Sequence, residues 1–413
     1  MKNIVILTRR YYPNMSPISA VIDKYIQRLK KDYNIHIICI AGSSGLEKPS
    51  DTSINVYYIK NKWLMLRLWS EEKYISQRNK LYYYIMQSCR ARSAFLNLFK
   101  DNYAYQWECD AYYSVITRLS SEVPIHAIIS VSGDTLFTHM AAKKFKEKHS
   151  GVKWITYFTD PYTFQNQMFY PTLFDKKKNK NVRFKAEKSV YDNADYNIST
   201  VELYKSIIED FAQAVDKTIC FDYVLERVCT EFIPNTPKEK SVRLMYAGAF
   251  YRNIRNPKPM LEIMKEVQGV KFDLYVTVKE CDDILQKYKS NAISICDGVS
   301  VEEYKRKISG EYDILVNVGN DCQYQAPSKM LEYISTGRPI LNFYYRKDSQ
   351  YQLIEKYPLG LNVDIHDMNS VDVVNSFCHN MKGKFLKFEE IEVIFPNNCI
   401  SKQTQMLRDL IEA

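Results

Sequence analysis

The sequence predicts an α/β protein with two doubly wound domains. Short apolar runs alternate with helical patterns along the first half of the chain, and the second half repeats this alternation. Near-continuous apolar strands separated by helices are typical of a parallel sheet that is covered on both faces. The 413 residues, of which 46% are hydrophobic, suffice for two domains of ordinary size.

The N-terminal half contains six candidate strands. They are Asn3–Leu7, Ile35–Ile40, Ile54–Ile59, Ala127–Val131, Lys153–Phe158 and Tyr196–Ser199. Between the first two strands, apolar residues from Ile18 to Leu29 recur at helical spacing. The segment at about 60–119 departs from the alternation because it is helical in pattern and rich in bulky side chains. We interpret it as helices inserted into the N-terminal domain.

The C-terminal half contains six further candidate strands. They are Val242–Ala247, Lys271–Thr277, Ala292–Cys296, Ile314–Asn317, Pro339–Phe343 and Gly360–Val363. Prolines and an asparagine interrupt the pattern at 232–237, which indicates a domain boundary. We expect an N-terminal domain at 1–236, a C-terminal domain at 237–399, and a final helix at 400–413 that packs back toward the first domain.

The sequence lacks the signature motifs of several functional classes. No Gly-x-Gly-x-x-Gly or P-loop motif occurs, which argues against dinucleotide dehydrogenases and P-loop NTPases. The ten cysteines include no Cys-x-x-Cys pair, which argues against zinc ribbons and thioredoxin-type redox sites. The net charge of +9 suits phosphate groups or an anionic membrane. Nucleic acid is not an expected partner because the basic residues are spread along the chain without a recognition motif.

The most informative segment is 325–341, which reads QAPSKMLEYISTGRPIL. Pro327 suits the first position of a helix, and Gly337 suits the position just past its end. Met330, Leu331 and Ile334 would face the core. Packing alone explains these apolar positions but not the charged residues between them.

Those charged residues indicate an anion site. The start of a helix presents free N–H groups, to which Ser328 adds a hydroxyl and Lys329 a cation. Glu332 lies four residues after Ser328 and projects from the same face. A phosphate at the helix start would place a ribose within reach of Glu332. The segment therefore predicts a site for a nucleotide diphosphate.

Segment 327–340 resembles the donor site of GT-B glycosyltransferases related to family 4, and the resemblance covers most of the chain. Segments 244–257, 312–320 and 153–161 resemble other parts of that family, as does the stretch from Glu187 to Ser199. The resemblance implies two Rossmann-like domains facing a central cleft. It also implies transfer of a sugar from a nucleotide diphosphate sugar to a glycan or lipid-linked acceptor, as in bacterial surface polysaccharide synthesis.

By this resemblance, specific residues acquire expected roles. The expected donor-binding residues are Gly248, Tyr251, Arg252, Arg255, Val299, Ser328, Lys329 and Glu332. The expected catalytic residues are Lys329 and Arg255, together with Asp160, which is a candidate because of its position at the end of a predicted strand. No Asp-x-Asp occurs, which favours a metal-independent reaction without a cofactor, and a UDP-sugar is the expected donor.

The chain departs from the family at Tyr324, where many members carry a glutamate that contacts the donor sugar. Retention of stereochemistry is expected from the family, but Tyr324 leaves both it and the sugar open. Two alternatives also stay open: a nucleotide-sugar epimerase on the same scaffold, and a non-catalytic protein that binds sugar nucleotides.

Acceptor-binding candidates follow the strands of the first domain. Arg9, Ser16 and Ser19 lie in or near the turn after the first strand, and Asp134 follows the fourth. Carboxyl ends of parallel strands are where such sheets bind ligands. Solvent-facing arginines at a turn remain an equally good interpretation of Arg9. Asp160 is either a catalytic carboxylate at a strand end or the start of an Asp-Pro turn.

The chain is expected to be cytoplasmic. Its first apolar run is too short for a signal peptide, and no stretch approaches the roughly 18 apolar residues of a membrane span. Segments 60–69 and 90–100 mix Lys and Arg with Trp, Phe and Leu. Such segments suit a lipid headgroup region. Peripheral attachment to the inner face of an anionic membrane is one interpretation, and packing against the first domain is the other.

Overall fold

The computed structural model describes residues 1–12, 15–41, 51–99, 103–132, 135–163, 177–212, 215–227, 241–322 and 329–413. These residues form two compact units. The first contains 1–163, 177–221 and 404–413, apart from the gaps just given, and the second contains 222–403 with its own gaps. The predicted boundary between 236 and 237 lies outside the described residues.

The first unit is built on a parallel sheet of seven strands in the order β3-β2-β1-β4-β5-β6-β7. The strands are β1 (Lys2–Leu7), β2 (Tyr33–Ile40), β3 (Ile54–Ile59), β4 (Ile125–Ser132), β5 (Lys153–Phe158), β6 (Tyr196–Ser199) and β7 (Thr218–Cys220). The six predicted strands are confirmed to within two residues at each end. β7 was missed because three residues are too few to show a period.

In the described part of the first unit, helices lie between these strands. They are α1 (Pro17–Leu29), α2 (Lys62–Gln77), α3 (Lys80–Phe99), α4 (Tyr103–Glu122), α5 (Phe137–Lys146), α6 (Lys177–Asn193) and α7 (Val201–Glu209), with the end of a C-terminal helix, Ile400–Glu412. The carboxylate of Glu412 accepts a hydrogen bond from the Tyr33 hydroxyl at 2.9 Å. The last residues of the chain are thereby fixed to β2.

The segment between β3 and β4 holds α2, α3 and α4. In α4, Tyr112, Ile116 and Leu119 are buried, and the Tyr112 hydroxyl donates to the carbonyl oxygen of Thr8 at 2.6 Å. This helix therefore supports the loop that follows β1. Among the described residues, no helix is both long and apolar enough to cross a membrane.

The second unit repeats the design with six parallel strands in the order β10-β9-β8-β11-β12-β13. The strands are β8 (Val242–Gly248), β9 (Val270–Val276), β10 (Ile293–Asp297), β11 (Ile314–Val318), β12 (Ile340–Tyr344) and β13 (Gly360–Asp364). All six predicted strands are confirmed to within one residue. In β11 all five residues are buried. Each buried aliphatic side chain contributes about 1.5–3 kcal/mol relative to exposure.

In the described part of the second unit, six helices pack on this sheet. They are α8 (Lys258–Met264), α9 (Asp282–Tyr288), α10 (Val301–Arg306), α11 (Met330–Ser335), α12 (Ser349–Lys356) and α13 (Val371–Met381), followed by α14 (Phe388–Ile394) and the start of the C-terminal helix, α15. Gly337 follows α11 with φ at +74°, which confirms it as the helix stop. The predicted helix start at Pro327 lies outside the described residues. The expected α/β class with two doubly wound parallel domains is confirmed.

Candidate functional site

Both sheets reverse their winding beside their first strand, because β1 adjoins β4 and β8 adjoins β11. Open parallel sheets bind ligands outside the carboxyl ends of the strands at such a switch point. The loops after these four strands are therefore the expected binding positions, and each unit places predicted residues there.

In the second unit, Lys329 reaches back to the end of β8. Its ammonium donates to the carbonyl oxygen of Ala247 at 3.0 Å and lies 4.4 Å from the centre of the Tyr304 ring. A cation over an aromatic face gains about 0.5–2 kcal/mol. Burial lowers the pKa of Lys329, while Glu332 raises it and Arg255 lowers it again. Lys329 thus lies at the centre of a coupled group of charges.

Glu332 lies in the first turn of α11 and is half-buried. The hydroxyl of Tyr304, on α10, donates to its Oε2 atom at 3.0 Å. Burial raises the pKa of Tyr304 well above its ordinary value, and Glu332 raises it further, so the tyrosine stays a donor. A carboxylate offers about four lone-pair sites. One bond from Tyr304 therefore leaves Glu332 able to accept from another hydroxyl.

Arg255 joins the loop after β8 to the loop after β11. Its Nε and Nη2 atoms donate to Asn320 Oδ1 at 3.0 and 2.7 Å, and Nη1 donates to the Ala249 carbonyl at 3.3 Å. Arg255 also pairs its backbone with Tyr251 in a tight hairpin, with N–H···O distances of 3.2 and 2.8 Å. The guanidinium is therefore held rigidly at the switch point.

Gly248 is the last residue of β8, and the neighbouring Tyr246 leaves little room for a side chain at this position. A Cβ atom added there would lie 2.9 Å from the Tyr246 hydroxyl oxygen, which itself donates to the Ala249 carbonyl at 3.0 Å. A side chain at 248 would displace this buried tyrosine. The glycine thus keeps the turn between β8 and Arg255 narrow.

The other predicted donor residues have different surroundings. Arg252 is exposed and forms an ion pair with Asp283 on α9, so the structure does not bring it to Lys329. Val299 is half-buried and packs against the apolar cluster that includes Ala247 and Tyr304. Ser328 lies outside the described residues. Among the described residues, no three His, Cys, Asp or Glu side chains gather as a metal site requires.

Sequence reasoning missed two residues of this group, Tyr304 and Asn320. Tyr304 is 28 residues from Glu332, and Asn320 is 65 residues from Arg255. No local pattern links such distant positions. The only available signal was that Asn320 lies three residues after the predicted strand Ile314–Asn317.

In the first unit, a pocket of about 160 Å³ lies at the carboxyl ends of β1 and β4. Its lining residues are Thr8, Arg9, Arg10, Ser16, Ile18, Val131, Ser132 and Thr135. The pocket is smaller than the roughly 300–1,000 Å³ of a drug-sized ligand site, so it suits a single chemical group. Two arginines and several hydroxyls give it a preference for an anion.

A third arginine, Arg67 on α2, interacts electrostatically with the two arginines of this pocket. Burial lowers the pKa of Arg67, and the positive charges of Arg9, Arg90 and Arg10 lower it further, against the opposing effect of Glu71. Its Nε atom is buried without a hydrogen-bond partner among the described residues. Gathered guanidinium groups repel one another unless an anion lies between them. Sequence reasoning included Arg67 only as part of segment 60–69, which it interpreted either as facing a membrane or as packing against the first domain.

Ser16 and Ser19 start α1 beside the pocket. Ser16 Oγ accepts from the Ser19 backbone N–H at 3.2 Å, and the Ser16 N–H donates to Ser19 Oγ at 2.7 Å, which forms a capping box. Ser16 lines the pocket, whereas Ser19 is fully buried. Ser19 therefore shapes the helix start rather than the pocket wall.

Asp160 follows β5, at the same edge of the first sheet. The Thr159 N–H donates to the Ser132 carbonyl at 3.2 Å, which aligns this loop with the end of β4. Buried Glu187 anchors the loop by accepting from the N–H groups of Tyr162 and Thr163 at 3.1 and 2.8 Å. Asp134 lies outside the described residues.

No family model and no curated protein matches the sequence. Solved structures match over its whole length. Sucrose-phosphate synthase from Thermosynechococcus elongatus has a TM-score of 0.66 at 10% identity, with 100% of both chains covered. The lipopolysaccharide outer core galactosyltransferase WaaB has 0.61 at 11% identity, with 100% of this chain and 99% of that chain covered.

An α,α-trehalose-phosphate synthase (UDP-forming) from Burkholderia xenovorans, in complex with glucose-6-phosphate, has a TM-score of 0.58 at 10% identity. The match covers 99% of this chain and 100% of that chain. Identities this low establish the fold alone. The expected GT-B fold is confirmed, and membership of family 4 stays a prediction.

Proposed function

We propose that this chain is a glycosyltransferase that moves a sugar from a nucleotide diphosphate sugar to a glycan or lipid-linked acceptor. The observation that carries the proposal is the convergence of Lys329, Tyr304, Glu332 and Arg255 at the switch point of the second unit. Two cations and a hydroxyl-accepting carboxylate match the diphosphate and the ribose of such a donor. The shared fold of sugar transferases supports the same conclusion.

In this proposal the donor phosphates lie against Lys329 and Arg255. Negative charge grows on the diphosphate as the bond to the sugar breaks, and preorganised cations stabilise that charge without reorganising. Arg255 is preorganised by Asn320 and Ala249, and Lys329 by Ala247 and the Tyr304 ring. Ser328, Tyr251 and Val299 are proposed as further donor contacts, with Val299 beside the base.

These two cations also replace a metal ion in the proposal. We propose a UDP-sugar as the donor and a retaining reaction, in which Asp160 contacts the reacting sugar or the acceptor hydroxyl. Turnover in excess EDTA tests the metal-free character. A loss of activity that magnesium or manganese restores would contradict it.

The acceptor is proposed to bind at the pocket of the first unit. Arg9 and Arg10 supply positive charge there, to which the charge of Arg67 adds, and Ser16 supplies a hydroxyl. A phosphate-bearing acceptor fits this chemistry, including a lipid-linked saccharide in bacterial surface polysaccharide synthesis. Two structural neighbours carry phosphorylated sugars in their names, which agrees with this class.

We further propose a cytoplasmic protein that attaches reversibly to an anionic membrane through α2. Trp63, Leu66 and Trp69 are 49%, 38% and 38% exposed on this helix. Arg92 of α3 lies 4.3 Å above the Trp63 ring. Exposed aromatic rings beside cations suit a lipid headgroup region. The side chains of 93–100 in the second predicted segment lie outside the described residues.

Calorimetry with UDP tests the donor site. Glu332→Ala should weaken binding by about 1.5–3 kcal/mol, the cost of losing a hydrogen bond to a charged group. Glu302→Ala is the matched control, because Glu302 lies exposed on the same helix as Tyr304. If Glu332 accepts from the ribose, its loss should matter less for a nucleotide that lacks the 2′-hydroxyl. Equal UDP affinity in Glu332→Ala and the wild type would remove Glu332 from the site.

Product analysis separates the alternatives. A transferase should release UDP faster when acceptor is added. An epimerase would convert the nucleotide sugar without an acceptor, and a non-catalytic binding protein would retain it unchanged.

A further inference from the structure

A chain of hydrogen bonds runs from the core of the first unit to its pocket. His139, on α5, is fully buried. Its Nδ1 atom lies 2.7 Å from Ser130 Oγ, and its Nε2 atom lies 2.6 Å from Ser132 Oγ. The imidazole stacks on Phe158 with 4.1 Å between ring centres. Ser132 also lines the pocket, so the buried His139 contacts a residue of the pocket wall.

The direction of these bonds follows from the first donor. Trp154 Nε1–H can only donate, and it donates to Ser130 Oγ at 2.8 Å. Ser130 is fully buried, and Trp154 and His139 are its hydroxyl's hydrogen-bond partners among the described residues. The Ser130 hydroxyl hydrogen therefore has one available acceptor, His139 Nδ1. Any other arrangement leaves a buried hydroxyl hydrogen unsatisfied, which costs about 1–3 kcal/mol.

The tautomer of His139 is thereby fixed. Burial lowers the pKa of His139 to about 3, so the ring is neutral at neutral pH and carries one hydrogen. With Nδ1 accepting from Ser130, that hydrogen is on Nε2 and is donated to Ser132 Oγ. The hydrogen of the Ser132 hydroxyl is then directed away from the ring.

We propose that His139 is a positioning residue that holds the Ser132 hydroxyl as a hydrogen-bond donor to an anionic oxygen, such as a phosphate oxygen, in the pocket at the carboxyl ends of β1 and β4. This inference rests on the proposed acceptor site. A serine hydroxyl alone can donate or accept, whereas a phosphate oxygen can only accept when ionised. By fixing Ser132 as a donor, the relay favours an ionised phosphate oxygen, because a hydrogen bond to a charged acceptor is stronger than one to a neutral hydroxyl. Arg9 and Arg10 favour the same class of ligand.

The first test is the tautomer of His139 in the full chain. Long-range ¹H–¹⁵N correlation spectra of protein labelled with ¹⁵N-histidine distinguish the two tautomers. The expected result is a neutral ring with its hydrogen on Nε2. A ring with its hydrogen on Nδ1, or a charged ring at neutral pH, would overturn the relay. This measurement needs no variant and no nucleotide sugar.

The second test uses inorganic phosphate as the probe and the His139 ¹⁵N shifts as a local reporter. Phosphate should move these shifts in the wild type, and Ser132→Ala should weaken the apparent affinity by about tenfold, the size of one hydrogen bond to a charged group. A wild type whose His139 shifts ignore phosphate would overturn the proposed ligand. Because the reporter is beside the pocket, phosphate bound elsewhere does not confuse the result.

Variants of His139 separate positioning from packing. Amide shifts of the pocket residues report binding in these variants. In His139→Gln, the side-chain amide nitrogen can still donate to Ser132, so phosphate affinity should stay near that of the wild type. His139→Leu should lose part or all of the affinity that Ser132→Ala loses, and the double variant should lose no more than Ser132→Ala. Additive losses, or normal affinity in a folded His139→Leu protein, would contradict the relay. Transferase activity enters none of these readouts, so failure of the proposed function is a separate outcome.

Discussion

The hydroxyl of Tyr304 lies 3.0 Å from Glu332 Oε2, to which it donates a hydrogen bond. The same tyrosine ring faces the Lys329 ammonium at 4.4 Å. One side chain on α10 therefore orients both charged residues of α11 and its preceding turn. This relationship makes Tyr304 the support on which the proposed phosphate and ribose contacts depend.

Two substitutions at Tyr304 separate its contributions. Tyr304→Phe keeps the ring beneath Lys329 but removes the hydrogen bond to Glu332, so UDP affinity should fall by about 0.5–1.5 kcal/mol. Tyr304→Leu removes both contacts and should cost more. Calorimetry with UDP measures the two losses. Wild-type affinity in Tyr304→Leu would show that the donor does not depend on this residue.

Arg255 and Arg252 form a matched pair three residues apart. Arg255→Lys loses the planar fork that binds Asn320, so kcat should fall by at least about tenfold. Arg252→Lys should change kcat little, because its ion pair with Asp283 is exposed and such pairs are worth about 0–1 kcal/mol. Steady-state assays of UDP release measure both. Equal effects of the two substitutions would remove Arg255 from its proposed role.

The lowered pKa of Lys329 predicts a pH dependence. Burial favours the neutral amine, so Lys329 loses its proton at a lower pH than an ordinary lysine, whose pKa is about 10.4. The ammonium that binds phosphate is present below the lowered pKa, and UDP affinity should decline as pH rises through it. Lys329→Arg keeps its charge and should abolish this decline. Parallel pH profiles for the two proteins would exclude Lys329 as the titrating group.

Exposed Trp63 predicts reversible membrane attachment. Trp63→Ser should reduce flotation with vesicles that contain anionic lipid, because the aromatic ring anchors at the interface. Val393→Ser, an exposed apolar residue on α14, is the control and should float like the wild type. Each basic residue contributes about 1 kcal/mol, so salt should release the protein. A wild type that stays unbound at low salt would show that α2 has another role.

The sequence by itself determined the strands and the local spacing of charges. Near-continuous apolar runs are buried in either sheet, so twelve of the thirteen strands in the described residues could be predicted, and β7 could not because it has only three residues. The proximity of Lys329 and Glu332 at the start of one helix could also be predicted, since helix geometry fixes the distance between residues three positions apart. The end of this helix at Gly337 could be predicted for the same reason, since it depends only on local sequence.

Only the tertiary structure decided which distant residues meet. The sequence does not distinguish Arg252 from Arg255 as donor-binding candidates. In the folded chain, Arg252 forms an exposed ion pair with Asp283, whereas Arg255 donates hydrogen bonds to Asn320. The hydrogen bond between Tyr304 and Glu332 joins two helices through the winding of the sheet. Such pairs depend on strand order and register, which arise from the packing of the whole sheet. A local pattern of residues does not depend on that packing and therefore cannot predict these partners. Only the folded chain shows them.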